Sequence, residues 1–275
     1  MSLTVFVFLG SCSDHHRNNA LMPTIHTHLL PGLLNETDLT GSTCVIIDIL
    51  RASTTMIHAL ANGARAVVPC LNVEDALAAA QRFPAEQRLL GGERHGELIP
   101  GFDLDNSPFR YGPETVRGKT VIFTTTNGTR ALWASRSAQQ VLVGGFVNLS
   151  ALVRRLKQSS ETVHLVCAGT DGQLTAEDIL FAGAVVRELQ SPATSEQAWK
   201  SGNVQSDLAR DYFVARDRTP ESFRQAFFES LGAQNLIELG MTADIDRCLQ
   251  RDLFECVPQW NGSTGKLTVA EAVKS

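Results

Sequence analysis

From Thr24 to Cys167 the chain repeats one pattern. A short apolar run rich in β-branched residues stops at a polar cluster, and a helical periodicity follows. Val45-Ile46-Ile47 before Asp48, Val121-Ile122-Phe123 before Thr124, Val141-Leu142-Val143 before Gly144 and Val163–Cys167 before Ala168-Gly169 are the clearest cases. Runs this apolar read as strands buried on both faces, and strands alternating with helices build a layered sheet. The expectation is an α/β fold: a largely parallel or mixed sheet covered by helices on both faces, with a mostly helical C-terminal region. Strands are expected at 24–30, 43–48, 66–70, 120–123, 141–143, 163–167 and 255–259. Helices are expected at about 54–62, 73–82, 148–157, 175–189, 195–216, 220–230 and 243–250. Residues 1–21 read as an extension outside the core, because Met22 precedes a better start in Pro23–Leu30. Residues 22–275 then form the α/β unit, as one body or as two lobes with the helical stretch 191–250 in the second.

Bulk properties exclude several classes. A net charge of −5 gives no clustered positive field for nucleic acid. No apolar run approaches the ~18 residues needed to span a bilayer. The six cysteines lack any C-x-x-C pair, which reads as reduced thiols in a cytoplasmic protein. A small-molecule ligand is the partner this leaves, with a homodimer as the base-rate assembly.

Five polar clusters lie where apolar strands stop: Asp48–Thr54, Gly91–Gly96, Thr124–Thr129, Gly144–Asn148 and Cys167–Asp178. In a parallel sheet such ends share a rim, which is where open α/β folds bind ligands. VIIDILRAST (45–54) delivers a carboxylate, a guanidinium and a helix start together; Asp48 and Arg51 could equally be an ion pair closing the turn. GGERHG (91–96) sets Glu93 and Arg94 among glycines, or is a solvated turn. TTTNGT (124–129) can aim hydroxyls and N–H groups at phosphate oxygens, or is a strand end, an Asn-Gly turn and a cap. Thr175–Asp178 reads as a capping box with a carboxylate free to face a metal, and GFDLDNSP (101–108) as an acidic loop. Other motifs fail. Gly112 to Gly118-Lys119-Thr120 has one residue too many for a phosphate-binding P-loop and precedes a strand. There is no G-x-G-x-x-G, no G-x-S-x-G and no metal-ligand spacing among the histidines. Asp48 also lacks the second aspartate, two positions on, of haloacid-dehalogenase-type phosphatases.

In order and spacing, VIIDILRAST, GGERHG, GFDLDNSP, TTTNGT and CAGTDG with Glu177-Asp178 resemble the 2-phosphosulfolactate phosphatase family. The likeness runs from about Thr24 to Leu267 and includes ELGMTADIDRCLQRD and ECVPQW. It implies a magnesium-dependent phosphatase (Mg2+ as cofactor) acting on the phosphate ester of a small sulfonated hydroxy acid, a step of coenzyme M biosynthesis where that cofactor is made. On this reading Asp48, Glu93 and Asp178 are the metal ligands, and Asp48, Arg51 and Glu93 the catalytic set. Arg51, Ser53, Thr54, the turn Thr124, Thr125, Thr126, Asn127, Gly128 and Thr129, and Gly169 bind substrate. Arg94, or Asn106 with Ser107, holds its sulfonate or carboxylate. Asp48 could instead be a nucleophile forming an aspartyl phosphate. A metal-dependent phosphoryl transferase and a non-catalytic phosphate-ester-binding protein remain the alternatives.

Overall fold

The computed structural model describes residues 22–35, 39–158, 162–192 and 198–269; the expected extension 1–21 lies outside them. Ten strands form one mixed sheet among the described residues. They are β1 (Thr24–His28), β2 (Thr43–Ile47), β3 (Ala66–Pro69), β4 (Arg88–Gly92), β5 (Thr120–Thr124), β6 (Gln140–Gly144), β7 (Val163–Cys167), β8 (Lys200–Ser201), β9 (Pro258–Asn261) and β10 (Lys266–Val269). The order across the sheet is β4-β5-β3-β10-β9-β6-β2-β7-β1-β8.

The sheet is two parallel blocks joined by an antiparallel hairpin. β4, β5 and β3 run one way. β6, β2, β7, β1 and β8 are parallel to one another. Between them β10 pairs antiparallel with β3, β9 with β10 and β6 with β9, so the two blocks point in opposite directions. A single parallel rim, the premise of the sequence reading, is therefore not what forms. Neighbouring strands twist by about 20–25°. Over the five steps from β5 to β2 this accumulates to roughly 110°, enough to turn the ends of opposed blocks toward a shared cleft.

The helices are α1 (Ala52–Ala61), α2 (Val73–Ala80), α3 (Pro113–Val116), α4 (Gly128–Ala134), α5 (Leu149–Lys157), α6 (Ala176–Gln190), α7 (Val204–Arg216), α8 (Pro220–Phe228), α9 (Leu231–Glu238) and α10 (Thr242–Cys248). They cover both faces, as alternation along β2 shows. Val45 and Ile47 pack with Leu152 of α5 and Phe181 and Val185 of α6, whereas Cys44 and Ile46 pack on the other side with Met56 and Ile57 of α1 and Leu132 of α4. Every residue of β2 is buried. Each such large side chain contributes about 1.5–3 kcal/mol of burial.

Local signals mostly hold. Asn72 caps α2 by accepting from Asp75 N at 2.7 Å, and Asn62-Gly63 ends α1, with Gly63 at φ 93°. Three expectations fail. Of the helix expected at 195–216, positions 195–197 lie outside the described residues, Lys200–Ser201 pair with β1, and the helix begins only at Val204. Ser230, read as the end of a helix, caps α9 instead, through Ala233 N. The strand expected at 255–259 starts only at Pro258, as β9, a position where the missing N–H is tolerated, and its partner β10 is not among the expected strands.

His58 on α1 is buried against the edge of Phe254, and its Nε2 has no partner among the described residues. Burial, and secondarily the charge of Arg247, push its pKa from 6.5 down to about 4. The unfolded chain therefore binds the proton more readily than the fold does. The stability at stake is fully present above the unfolded value and is lost as pH falls toward the folded one, roughly 3 kcal/mol in all. Chemical denaturation at about pH 7 and about pH 4.5 should show a larger acid loss for the native chain than for His58→Gln. Equal losses would contradict a buried neutral imidazole.

Candidate active site

Asp48 follows β2 directly, and its carboxylate supplies the cap that α1 otherwise lacks. Oδ1 accepts from Ala52 N at 3.1 Å, and the Asp48 carbonyl accepts from Ser53 N at 2.8 Å. The expected cap residues do other work. Ser53 Oγ accepts from Asp48 N, and Thr54 Oγ1 donates to the Ile49 carbonyl, so both hydroxyls are spent inside the turn. Asp48 Oδ2 accepts no hydrogen bond among the described residues. It faces Gly128 at the start of α4, where a Cβ would sit 2.6 Å from it. Glycine is what lets the β5–α4 turn approach this carboxylate.

Glu93 arrives from the opposed block just after β4. Its Oε1 accepts from Thr126 N at 2.8 Å and its Oε2 from Gly96 N at 2.8 Å, so one carboxylate ties GGERHG to TTTNGT. Gly92 makes this register possible: it sits at φ 132°, and a Cβ there would lie 1.9 Å from the Thr124 carbonyl oxygen. Arg94 bonds Thr124 Oγ1 and the Glu93 carbonyl, bracing the same corner.

A cleft of about 300 Å³ opens over these groups, and Asp48, Arg51, Glu93, Asn106, Thr126 and Asn127 all line it. Ser53, Thr54, Arg94, Ser107, Thr124, Thr125, Gly128, Thr129, Gly169 and Asp178 are not among the residues that line it. Asn106 is 3% exposed and its Oδ1 has no partner among the described residues. Thr129 Oγ1 donates to the Thr125 carbonyl within the turn. Asp178 does not complete the expected capping box, since Thr175 makes no side-chain cap. Its two oxygens instead accept from Ile49 N at 2.9 Å and Gly169 N at 3.0 Å, stapling the loop after β2 to the loop after β7.

Arg51 is 3% exposed. Nη1 donates to Asp244 Oδ2 at 2.5 Å and to Met241 Sδ at 3.0 Å, and Nη2 donates to the Gly96 carbonyl at 2.9 Å. The guanidinium thus answers to a carboxylate on α10 as well as to the cleft.

The site is short of positive charge. Burial first, and then Asp178, raise the pKa of Asp48; burial and Glu177 raise that of Asp178; burial raises that of Glu177. Asp171 and Glu238 add two more acids to the walls, while among the described residues Arg51 is the one Lys or Arg lining the cleft. Among the described residues no three His, Cys, Asp or Glu side chains converge as a ready cage for a metal. Magnesium needs no cage: one or two carboxylates suffice when waters and phosphate oxygens fill the other positions. Asp48 with its unbonded Oδ2, Glu93 beside it and the unpartnered Asn106 oxygen are hard oxygen donors that fit that demand.

Residues that the sequence reading left unassigned also stand here. His95 and Asp171, in loops already singled out, line the cleft with left-handed backbones (φ 53° and 50°). Asn235 and Glu238 reach it from α9, which falls between the helices expected at 220–230 and 243–250. Glu177 is buried under Gly232, and Asp244 holds Arg51.

The family profile described as 2-phosphosulpholactate phosphatase matches residues 28–263. A probable 2-phosphosulfolactate phosphatase of Caldanaerobacter subterraneus subsp. tengcongensis is 40% identical over 226 residues, covering 82% of this chain and 90% of its own. Those of Thermotoga maritima and Symbiobacterium thermophilum are 40% and 39% identical, covering 78% and 80% of this chain and 88% and 92% of theirs.

Gly128→Ala should displace Asp48 or the α4 turn and cost about 1–3 kcal/mol in urea denaturation. Gly32→Ala, where nothing lies within 4 Å of the new Cβ, should stay within about 0.5 kcal/mol. Equal effects would mean that the close approach at Asp48 is not required.

Proposed function

The chain belongs to the 2-phosphosulfolactate phosphatase family, and on that premise we propose that its cleft hydrolyses the phosphate ester of 2-phosphosulfolactate with Mg2+ held by Asp48 and Glu93. The observation that carries the reading is the meeting of Asp48, Glu93, Arg51 and the unpartnered Asn106 in one cleft. A substrate bearing phosphate, carboxylate and sulfonate cannot settle against four carboxylates and one guanidinium without further positive charge. When bound, the metal supplies that charge to the phosphoryl oxygens.

The chain's own groups do the rest. Arg51 keeps N–H donors for a phosphoryl oxygen, which stabilises charge that develops during transfer. Thr126 and Asn127 present the turn before α4 to the same oxygens. Asn106 turns an amide toward the acid end of the substrate, where Arg94 and Ser107 support the loops. Asp178, with both oxygens given to Ile49 and Gly169, holds the Asp48 loop in place rather than touching the ligand. Ser53, Thr54, Thr124, Thr125, Thr129 and Gly169 shape the loops beneath. Leu50, Leu236 and Leu239 line the same cleft and limit water around the ester. We place this activity in the cytoplasm, with coenzyme M assembly as the route it serves and a homodimer as the working unit; these three rest on the family likeness and the sequence alone. Among the described residues no helix is long and apolar enough to cross a membrane.

Phosphate release should be measured from a panel of phosphorylated hydroxy acids, with magnesium and with chelator. The native chain should turn over the sulfonated ester and stop when chelated. Asp48→Asn and Glu93→Gln should each lose at least ~100-fold in kcat while keeping the native fold. Near-normal turnover in both variants, or full activity in chelator, would overturn the assignment.

A further inference from the structure

Arg51 is a buried cation with carboxylates on two sides. Toward the cleft lies Asp48, whose charge interacts with it. The second is Asp244, which is not among the cleft-lining residues, lies 193 positions along the chain and is 4% exposed. The guanidinium is bound to Asp244, at 2.5 Å, with Met241 Sδ and the Gly96 carbonyl fixing its plane. These three bonds leave two of its five N–H donors for a ligand. They also leave Asp48 Oδ2 unbonded. The other oxygen of Asp244 accepts from Ser107 Oγ at 2.7 Å, and Ser107 follows Asn106, the buried amide whose oxygen is unpartnered at the cleft. One carboxylate on α10 therefore sets both a cation and an amide.

We infer that Asp244 is a positioning residue: it holds Arg51 off Asp48 and steadies the Asn106 loop, so the C-terminal helices belong to the substrate-reading apparatus. This rests on the phosphatase reading above for its kinetic test, and on ligand binding alone for a second one. Without the Asp244 charge, the buried guanidinium is left with Asp48, which lines the same cleft and whose charge already interacts with it, and a pair formed there would occupy the oxygen that the site keeps open. Asp244→Asn keeps an oxygen that can accept from Ser107 Oγ, so the loss it causes runs through Arg51 and vanishes when Arg51 is already gone.

A double-mutant cycle on the full chain tests this, with phosphate release and calorimetric binding of inorganic phosphate in the presence of magnesium as readouts. Asp244→Asn should lower kcat/KM by ~100-fold, the scale of a misplaced catalytic group. In the Arg51→Ala background the same change should cost less than ~3-fold. Ser107→Ala, which leaves the ion pair intact, should raise KM by ~3–10-fold with kcat nearly unchanged. Breaking one side of a buried pair also weakens the fold, so the Ser107 variant and the charge-free double variant carry the test should Asp244→Asn not fold. Fully additive losses in the cycle, or a Ser107→Ala variant like the native chain in KM, would overturn the inference while leaving the phosphatase reading intact. If the native chain hydrolyses nothing in the panel but binds phosphate, and Asp244→Asn weakens that binding only when Arg51 is present, the inference stands and the phosphatase reading falls. Binding of no phosphate and hydrolysis of no ester would overturn both.

Discussion

A carboxylate at the end of a buried strand needs compensation, and Asp48 receives only part of it. One oxygen takes the Ala52 N–H and so starts α1; the other is left facing the cleft with Asp178 and Glu93 close enough to raise its pKa. Arg51, three residues on, is turned toward Asp244. The chain thus builds a small region where negative charge exceeds what its own cations balance. In a low-dielectric setting such an imbalance costs free energy until a cation or proton arrives. Much of the surrounding structure can be understood as holding that imbalance in a fixed shape: Asp178 staples two loops, Glu93 staples two more, and glycines at 92 and 128 admit the backbone that has to pass beside them.

The hairpin β9–β10 is what brings those loops together. A single parallel sheet would spread its strand ends along one edge. Here β4 and β5 come from a block that points against β2 and β7, and Glu93 and Thr126 line the same cleft as Asp48. Residues far apart in sequence then face one another across a short gap, with walls from both blocks and a further wall from α9. The Asp244–Arg51 pair joins α10 to the same place. The last third of the chain is therefore part of the site rather than an appendage to it.

What could be read from the sequence was what is local. Asp48 after Val45-Ile46-Ile47, Glu93 after Leu89-Leu90 and Thr126 after Val121-Ile122-Phe123 are visible because an apolar run that stops at a polar group is a property of a few neighbouring residues. The N-cap at Asn72 and the glycine after Asn62 are legible for the same reason. Thr175–Asp178 was misleading because a capping box and a carboxylate reaching for another loop share one spelling, and only the arrival of Ile49 and Gly169 decides between them. β10 and the bounds of β9 escape because short strands with Gln, Asn, Lys and Thr carry weak alternation, and their place in the centre of the sheet is set by distant partners. Asp244, Asn235 and Glu238 escape because a helix gives a side chain no local mark of what another segment will place against it.

On the proposal above, the cleft holds a divalent cation through Asp48, and that cation is why its acids can stay buried together. The most direct measurement is a calorimetric titration of Mg2+, with inorganic phosphate present, into the native chain and into Asp48→Asn. A saturable binding event is expected for the native chain and should be lost in the variant while the two melt alike. Equal magnesium binding by both, or none by the native chain, would contradict it.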